Sequence, residues 1–252
     1  MKKVILLLSV IGAALLMTSC LDDGNSNYSE PSYVYITMDD MGQPYGKTFT
    51  GRLITHSSFI SDIGKIKLMS YSWEEEFGRT QIKINDYIAE ADNINVVQKV
   101  DFQHTSLNMS PLPEQDNPAG FVQIGTPIFT ADKEFMNDYW VLEYAYKAKK
   151  GVEADVEFFK RAELSENGEI EIDIYLNLPS SDGTSQETLG GRVAFNMSSL
   201  RSQYSGGNDA KNELKIVFHY YQREETKEDG KVKVEVKPAT LPTTAWRIGS
   251  AQ

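Results

Sequence analysis

Disulfides, zinc clusters and basic surface are all scarce or missing in this chain, and each absence excludes something. A single cysteine, Cys20, occurs in 252 residues, so no intramolecular disulfide framework exists and stability must come from packing. The three histidines, His56, His104 and His219, fall in separate segments with no ligand-type partner at i+2 or i+4. A compact Cys/His zinc cluster is thereby excluded, and no metal or other cofactor is expected. Positive charge is also short: 25 Lys and Arg stand against 36 Asp and Glu, for a formal charge of −11. Nucleic acid and anionic lipid both require a basic surface, so neither suits as an electrostatic partner. No G-x-S-x-G elbow anchors a hydrolase triad, and no glycine loop leads into a helix to cradle phosphate. No later segment is apolar for long enough to span a bilayer. No amphipathic pattern supports a helix beyond about three turns, and no internal repeat is evident.

What is present begins with an address. Lys2 and Lys3 precede an apolar run from Val4 to Leu16, and Thr18 and Ser19 lead into Cys20. The run is too short to cross a membrane comfortably and reads as a signal peptide over residues 1–19. Met17-Thr18-Ser19-Cys20 resembles a bacterial lipobox, in which the cysteine is acylated and becomes the mature N-terminus; the alternative is an ordinary cleaved signal with an incidental cysteine. Acyl chains contribute about 0.8 kcal/mol per buried methylene, so a multiply acylated Cys20 would hold the protein at a membrane. Asp22 and Asp23 follow at once. Residues 20–32 are polar and read as a flexible tether.

From Tyr33 the signals are those of strands. Short segments rich in β-branched and aromatic residues, such as "GKIKLMSYSW" and "GRTQIKIND", give way to three prolines within "NMSPLPEQDNPAG". That stretch reads as an interdomain linker over residues 108–120. Beyond it the alternation sharpens. Ile170, Ile172, Ile174 and Leu176 lie on one face of a strand whose other face carries Glu169, Glu171 and Asp173. "VEADVEFF" does the same with Glu153, Asp155 and Glu157 outward. Regular spacing of such strands predicts a sandwich.

The acidic rows raise the chemistry of a calcium site or a glycosidase carboxylate pair. Residues two apart on a strand splay along a flat surface, however, and a solvated sheet face is the expectation. Aromatic residues are the one class pointing to binding. Trp140, Tyr220, Tyr221 and Trp246 are candidate ligand contacts, because a ring exposed on a strand stacks on a sugar or anchors a protein partner.

The lipobox followed by "LDD", together with "YITMDDMGQPYGKTFTGRLI", "TQIKIND" and "GRVAFNMSSLR", resembles NigD-like lipoproteins of the Bacteroidota. That resemblance implies an all-β chain: an N-terminal OB-like β-barrel over residues 33–107 and an antiparallel β-sandwich over residues 121–252. It brings no catalytic residues. Acid just after the cysteine resembles, in that phylum, a signal for display on the outer face of the outer membrane; the alternative is that Asp22 and Asp23 are ordinary tether acids. The expectation is a lipid-anchored, surface-exposed envelope protein that binds or scaffolds without catalysis, its partner another envelope protein or a glycan. A bacteriocin-associated immunity lipoprotein and a glycan-processing enzyme using paired strand carboxylates are the alternatives. Replacing Cys20 with serine is expected to abolish incorporation of labelled palmitate and to release the chain from the membrane fraction. Retained label in that variant would overturn the anchor.

Overall fold

The computed structural model describes residues 27–130, 136–179, 186–205, 211–228 and 231–248. Residues 1–26, with Cys20, Asp22 and Asp23, lie outside the described residues. The chain is all-β and divides into two compact units that meet between Asp101 and Phe102.

The first unit contains β1 (Tyr28–Met38), β2 (Pro44–Thr48), β3 (Leu53–Thr55), β4 (Ile66–Trp73), β5 (Arg79–Ile84), β6 (Tyr87–Asn93) and β7 (Asn95–Val100). They form one sheet in the order β5-β6-β3-β2-β1-β4-β7, antiparallel except for β3 with β6. The meander β1-β2-β3, with β4 on the other side of β1, gives a partly open Greek-key sheet of the OB-like kind. Val34, Ile36, Ile54, Phe59, Met69 and Tyr71 are fully buried between its curled faces.

Strand structure begins at Tyr28, inside the segment expected to be a flexible tether. Tyr28 stacks on Trp73 at 5.8 Å and its hydroxyl donates to Asp92 at 2.8 Å, contacts that offset the ordering of a polar stretch. Pro31 fits there because β1 has only β4 beside it at that point; β2 joins at Val34. Lys67 is buried between Asp62, at 3.2 Å, and Asp101, while Lys99 reaches Asp62 at 2.5 Å. The buried Lys67 and Asp62 are therefore each paired with opposite charge, as burial demands.

The second unit contains β8 (Gln103–Asn108), β9 (Gln123–Ile124), β10 (Tyr139–Ala148), β11 (Asp155–Leu164), β12 (Ile170–Asn177), β13 (Glu187–Asn196), α1 (Ser198–Tyr204), β14 (Glu213–Glu228), β15 (Lys231–Thr240) and β16 (Thr244–Arg247). The order is β15-β14-β12-β11-β8-β13-β10-β9, with β16 also on β14. β8 was expected in the first unit, yet it lies between β11 and β13 and runs parallel to both. The boundary accordingly falls before β8, and the proline-rich stretch is a connection within the second unit. The sandwich is not antiparallel throughout either, since β12 and β14 are also parallel. Hydrophobic alternation in a single strand carries no information about a neighbour's direction.

The two halves of this sheet close over an aromatic core. Trp140, Phe158, Phe195 and Phe218 are all buried. Phe158 stacks on Phe195 with centroids 3.9 Å apart, and Trp140 meets Trp246 edge-on at 5.4 Å. Alternation places Ile170, Ile172, Ile174 and Leu176 of β12 in the same core. On the other side the layers are joined by a strap. Phe121 donates its N–H to Tyr221 O at 2.8 Å and accepts from Arg223 N–H at 2.7 Å; Val122 N–H then donates to Ala145 O at 2.8 Å. The strap comes this close because residue 120 is glycine: a Cβ there would stand 2.9 Å from the Arg223 backbone nitrogen. Similarly, Gly191 leaves room for the Tyr144 ring across the β10–β13 pair.

Gly120→Ala is expected to destabilise the protein by about 2 kcal/mol, because a backbone contact cannot move aside as a side-chain tip can. A urea midpoint indistinguishable from that of the parent would contradict this role for the strap.

Candidate functional site

A cavity of about 250 Å³ opens in the second unit. Its origin is a parting of strands. β12 and β14 run side by side from Ile170 opposite Ile216 to Asp173 opposite His219, and there the pairing stops. From Gln222 the edge of β14 is taken by the Phe121 strap instead. The cavity sits at that parting, between Asp173 and Ile174 of β12 and His219, Tyr220 and Tyr221 of β14. Leu112, from the proline-rich connection, forms one wall, and Pro238, Ala239 and Thr240 of β15 form another.

Its polar core is Arg161, on β11. Lys160 is the last residue of β11 in regular register, opposite Ile172, before a bulge that lasts until Leu164. Continuing that register sets Arg161 across from Glu171 and diagonal to Asp173, the two cross-strand positions a long side chain can span. The guanidinium uses both. Its Nε donates to the Asp173 oxygens at 3.1 and 3.0 Å, Nη2 donates to Asp173 Oδ1 at 2.7 Å, and Nη1 donates to Glu171 Oε2 at 2.9 Å. These bonds, those to Asp173 foremost, hold the guanidinium proton more tightly than usual. The side chain is still 40% exposed, and a guanidinium has five N–H donors, so it can donate further.

The carboxylates thus converge, where the sequence suggested a splayed, solvated row. The reason is the reach of one arginine, which gathers both onto a single cation. Glu169 lies apart, accepting from the Thr243 hydroxyl at 3.1 Å.

His219 completes the cluster. Its Nε2 is buried without a hydrogen-bond partner and lies 3.6 Å from Glu171 Oε1. Burial lowers the imidazole pKa below 6.5 and the Arg161 charge lowers it further, against the opposing pull of Glu171 and Asp173. The ring is neutral at neutral pH. The other histidines are elsewhere: His56 Nδ1 accepts from Ser58 N–H at 3.2 Å, and His104 stacks on Phe102 at 5.5 Å. Among the described residues no group of three or more His, Cys, Asp or Glu side chains could hold a metal ion.

The four candidate aromatics separate into two pairs. Trp140 and Trp246 are each 1% exposed and belong to the core, which corrects their reading as ligand contacts. Trp140 stacks on Phe129 at 4.0 Å, and Arg201 lies over Trp246 at 4.7 Å. In "DYWVLEYAYKA" both faces are apolar, so alternation could not tell which ring turned inward. Tyr220 and Tyr221 both border the cavity. Tyr220 packs edge-on to Phe121 and its hydroxyl donates to Gln222 Oε1 at 3.1 Å. Sequence reasoning missed Arg161, whose only signal was its place across the "ENGE" turn from two alternating acids.

Because the folded His219 pKa is depressed, its contribution to stability is present above pH 6.5 and is lost as the pH falls through that value toward the folded pKa. Unfolding midpoints measured from pH 7.5 to 5 are expected to decline, and His219→Gln is expected to flatten that decline. An unchanged slope in the variant would contradict the burial of this ring.

No family model matches the sequence, and no curated protein matches it. Solved structures do align with the fold. An uncharacterized protein from Parabacteroides merdae matches 86% of this chain and 98% of its own, at a TM-score of 0.55 and 9% identity. A protein of unknown function, DUF1344, from Bacteroides vulgatus matches 85% and 92%, at a TM-score of 0.50 and 14% identity. A NigD-like immunity protein from Bacteroides caccae matches 82% and 91%, at a TM-score of 0.45 and 12% identity. At such identities the likeness is one of fold alone.

Proposed function

We propose that the chain is a non-catalytic binding protein of the cell envelope, lipid-anchored through Cys20 at the outer membrane and displayed on its surface, and that it recognises a neutral glycan through the cavity at Arg161. The lipobox-like segment and the acids after it support the location. The observation that carries the recognition is the guanidinium of Arg161 set between Asp173 and Glu171 at the floor of the cavity.

Donors and acceptors lie side by side there. Each hydroxyl of a sugar both donates and accepts, so a vicinal pair complements a guanidinium flanked by carboxylates. One cation against two carboxylates, with a neutral histidine, leaves no positive surplus to attract an anion. Leu112 and Pro238 supply the apolar surface that a sugar ring covers. A cavity of about 250 Å³ suits one sugar residue, with the rest of the chain outside. Both carboxylates are turned onto one guanidinium and not toward each other across an open cleft, which favours holding a glycan over cleaving it.

The test is titration of the protein with methyl glycosides of neutral hexoses and of a hexuronate, followed by amide chemical shifts. Saturable shifts are expected at Tyr221 and Asp173 with at least one neutral glycoside and not with the hexuronate. Arg161→Met is expected to weaken that binding at least tenfold while costing only about 1 kcal/mol of stability, since the side chain is half-exposed. Binding that survives Arg161→Met would remove this cavity as the site.

A further inference from the structure

The cluster at Arg161 is one positive charge short of neutral, and the group that can supply that charge is already in place. Arg161 alone, among the described residues, answers both Glu171 and Asp173. Glu171 divides its oxygens. Oε2 accepts from Arg161 Nη1 at 2.9 Å, while Oε1 lies 3.6 Å from His219 Nε2, too far for a hydrogen bond. Asp173 stands opposite His219 in the β12–β14 register. The imidazole therefore sits where a second cation would balance the second carboxylate, and its Nε2 is buried with no other partner. Among the described residues no further charge faces the ring. β15 sets Thr240 opposite His219, with Pro238 and Ala239 beside it. The proline-rich connection presents Leu112, and β14 itself adds only Tyr220 and Tyr221.

Charge balance then depends on one proton. With a neutral ring the cluster carries a single net negative charge, and a ligand carboxylate would double it. Protonation of His219 brings the cluster to zero, and the same carboxylate then restores the charge of the resting site. Donors for that carboxylate exist. Arg161 engages its Nε–H, one N–H of Nη1 and one of Nη2. A guanidinium has five such groups, so one remains on each terminal nitrogen.

We propose that His219 determines the charge class of sugar that the cavity accepts: neutral sugars while the ring is uncharged, and uronic acids, which carry a carboxylate, once it is protonated. The inference rests on the glycan reading of this cavity and adds a proton to it. Binding a uronate takes up one proton at His219, so acid favours the complex and the bound uronate in turn favours the protonated ring. Burial, joined by the Arg161 charge, holds the free ring below its usual pKa of 6.5. Uronate affinity therefore rises as the pH falls, by about tenfold for each pH unit, until the ring is mostly protonated. A neutral sugar brings no charge to be balanced and gains nothing comparable.

The test is amide-shift titration of the full chain carrying Cys20→Ser with the methyl glycosides of a hexuronate and of a neutral hexose, each at pH 7.5 and 5.5. The hexuronate carboxyl stays ionised over that range. The hexuronate is expected to bind at least tenfold more tightly at pH 5.5, the neutral glycoside to change little, and His219→Gln to abolish the gain. With His219 intact, the titration of its Cε1–H resonance is expected to move to higher pH when hexuronate saturates the site. A hexuronate that binds no more tightly at pH 5.5, a gain that survives His219→Gln, or a ring titration that the hexuronate leaves in place would each overturn the proposal. Binding of the neutral glycoside at pH 7.5 without the hexuronate gain would overturn this inference and leave the glycan reading standing. Binding of neither glycoside at either pH would remove both.

Discussion

The second unit depends on a strap a single residue wide. Phe121 gives and takes one hydrogen bond with β14, and Val122 immediately turns to β10, so the two halves of the sheet are joined on the side opposite β8. The Phe121 ring is fully buried and meets Tyr144 and Tyr220 edge-on, at 5.7 and 6.2 Å. Each of those ring pairs contributes about 1 kcal/mol beyond the area it buries. The strap has a second consequence. By taking the edge of β14 at Gln222, it occupies the place where β12 would continue, and β12 departs after Asp173. The cavity is the space left between them. Closure of the second unit's sheet and the existence of the cavity therefore share one cause.

The sequence makes strands legible and their neighbours illegible. Ile170, Ile172, Ile174 and Leu176 read as one buried face and are one, because a strand alternates whatever stands beside it. Nothing in that pattern tells that β14 runs parallel to β12, or that β8 crosses from an expected first-domain strand into the middle of the second sheet. Parallel pairing requires a long connection, and three prolines made one such connection look like a boundary between domains. The prolines do mark a segment outside regular pairing; which unit owns that segment is fixed by the strands at its ends, β8 and the strap.

Side-chain roles divide along the same line. Rings could be counted in the sequence but not sorted, since "YWVLEYAYKA" is apolar on both faces and only packing shows Trp140 inside. Arg161 was hidden for a different reason. A lone arginine on a mixed face carries no pattern of its own, and its meaning comes from the acids opposite, at 171 and 173. Lys67 shows the same in the first unit. Nothing in "GKIKLMSYSW" separates it from Lys65, yet Lys67 alone is buried, because Asp62 and Asp101 come to it from outside its strand. Charges that act in pairs become visible only once the register is known.

Register also explains how charge is balanced in the cluster around Arg161. Cleaving a glycosidic bond needs two carboxyl groups held apart with the bond between them. On β12, Glu171 and Asp173 are neighbours on one face, and the arginine across from them draws both in the same direction. That geometry satisfies the carboxylates while leaving the guanidinium half-exposed. His219 adds a ring that burial keeps neutral, and so adds no charge to the floor. The result is a polar surface whose charges are balanced within the protein before any ligand arrives. An uncharged partner that both donates and accepts hydrogen bonds can join it without desolvating an unpaired ion, which is the costly step in most polar recognition.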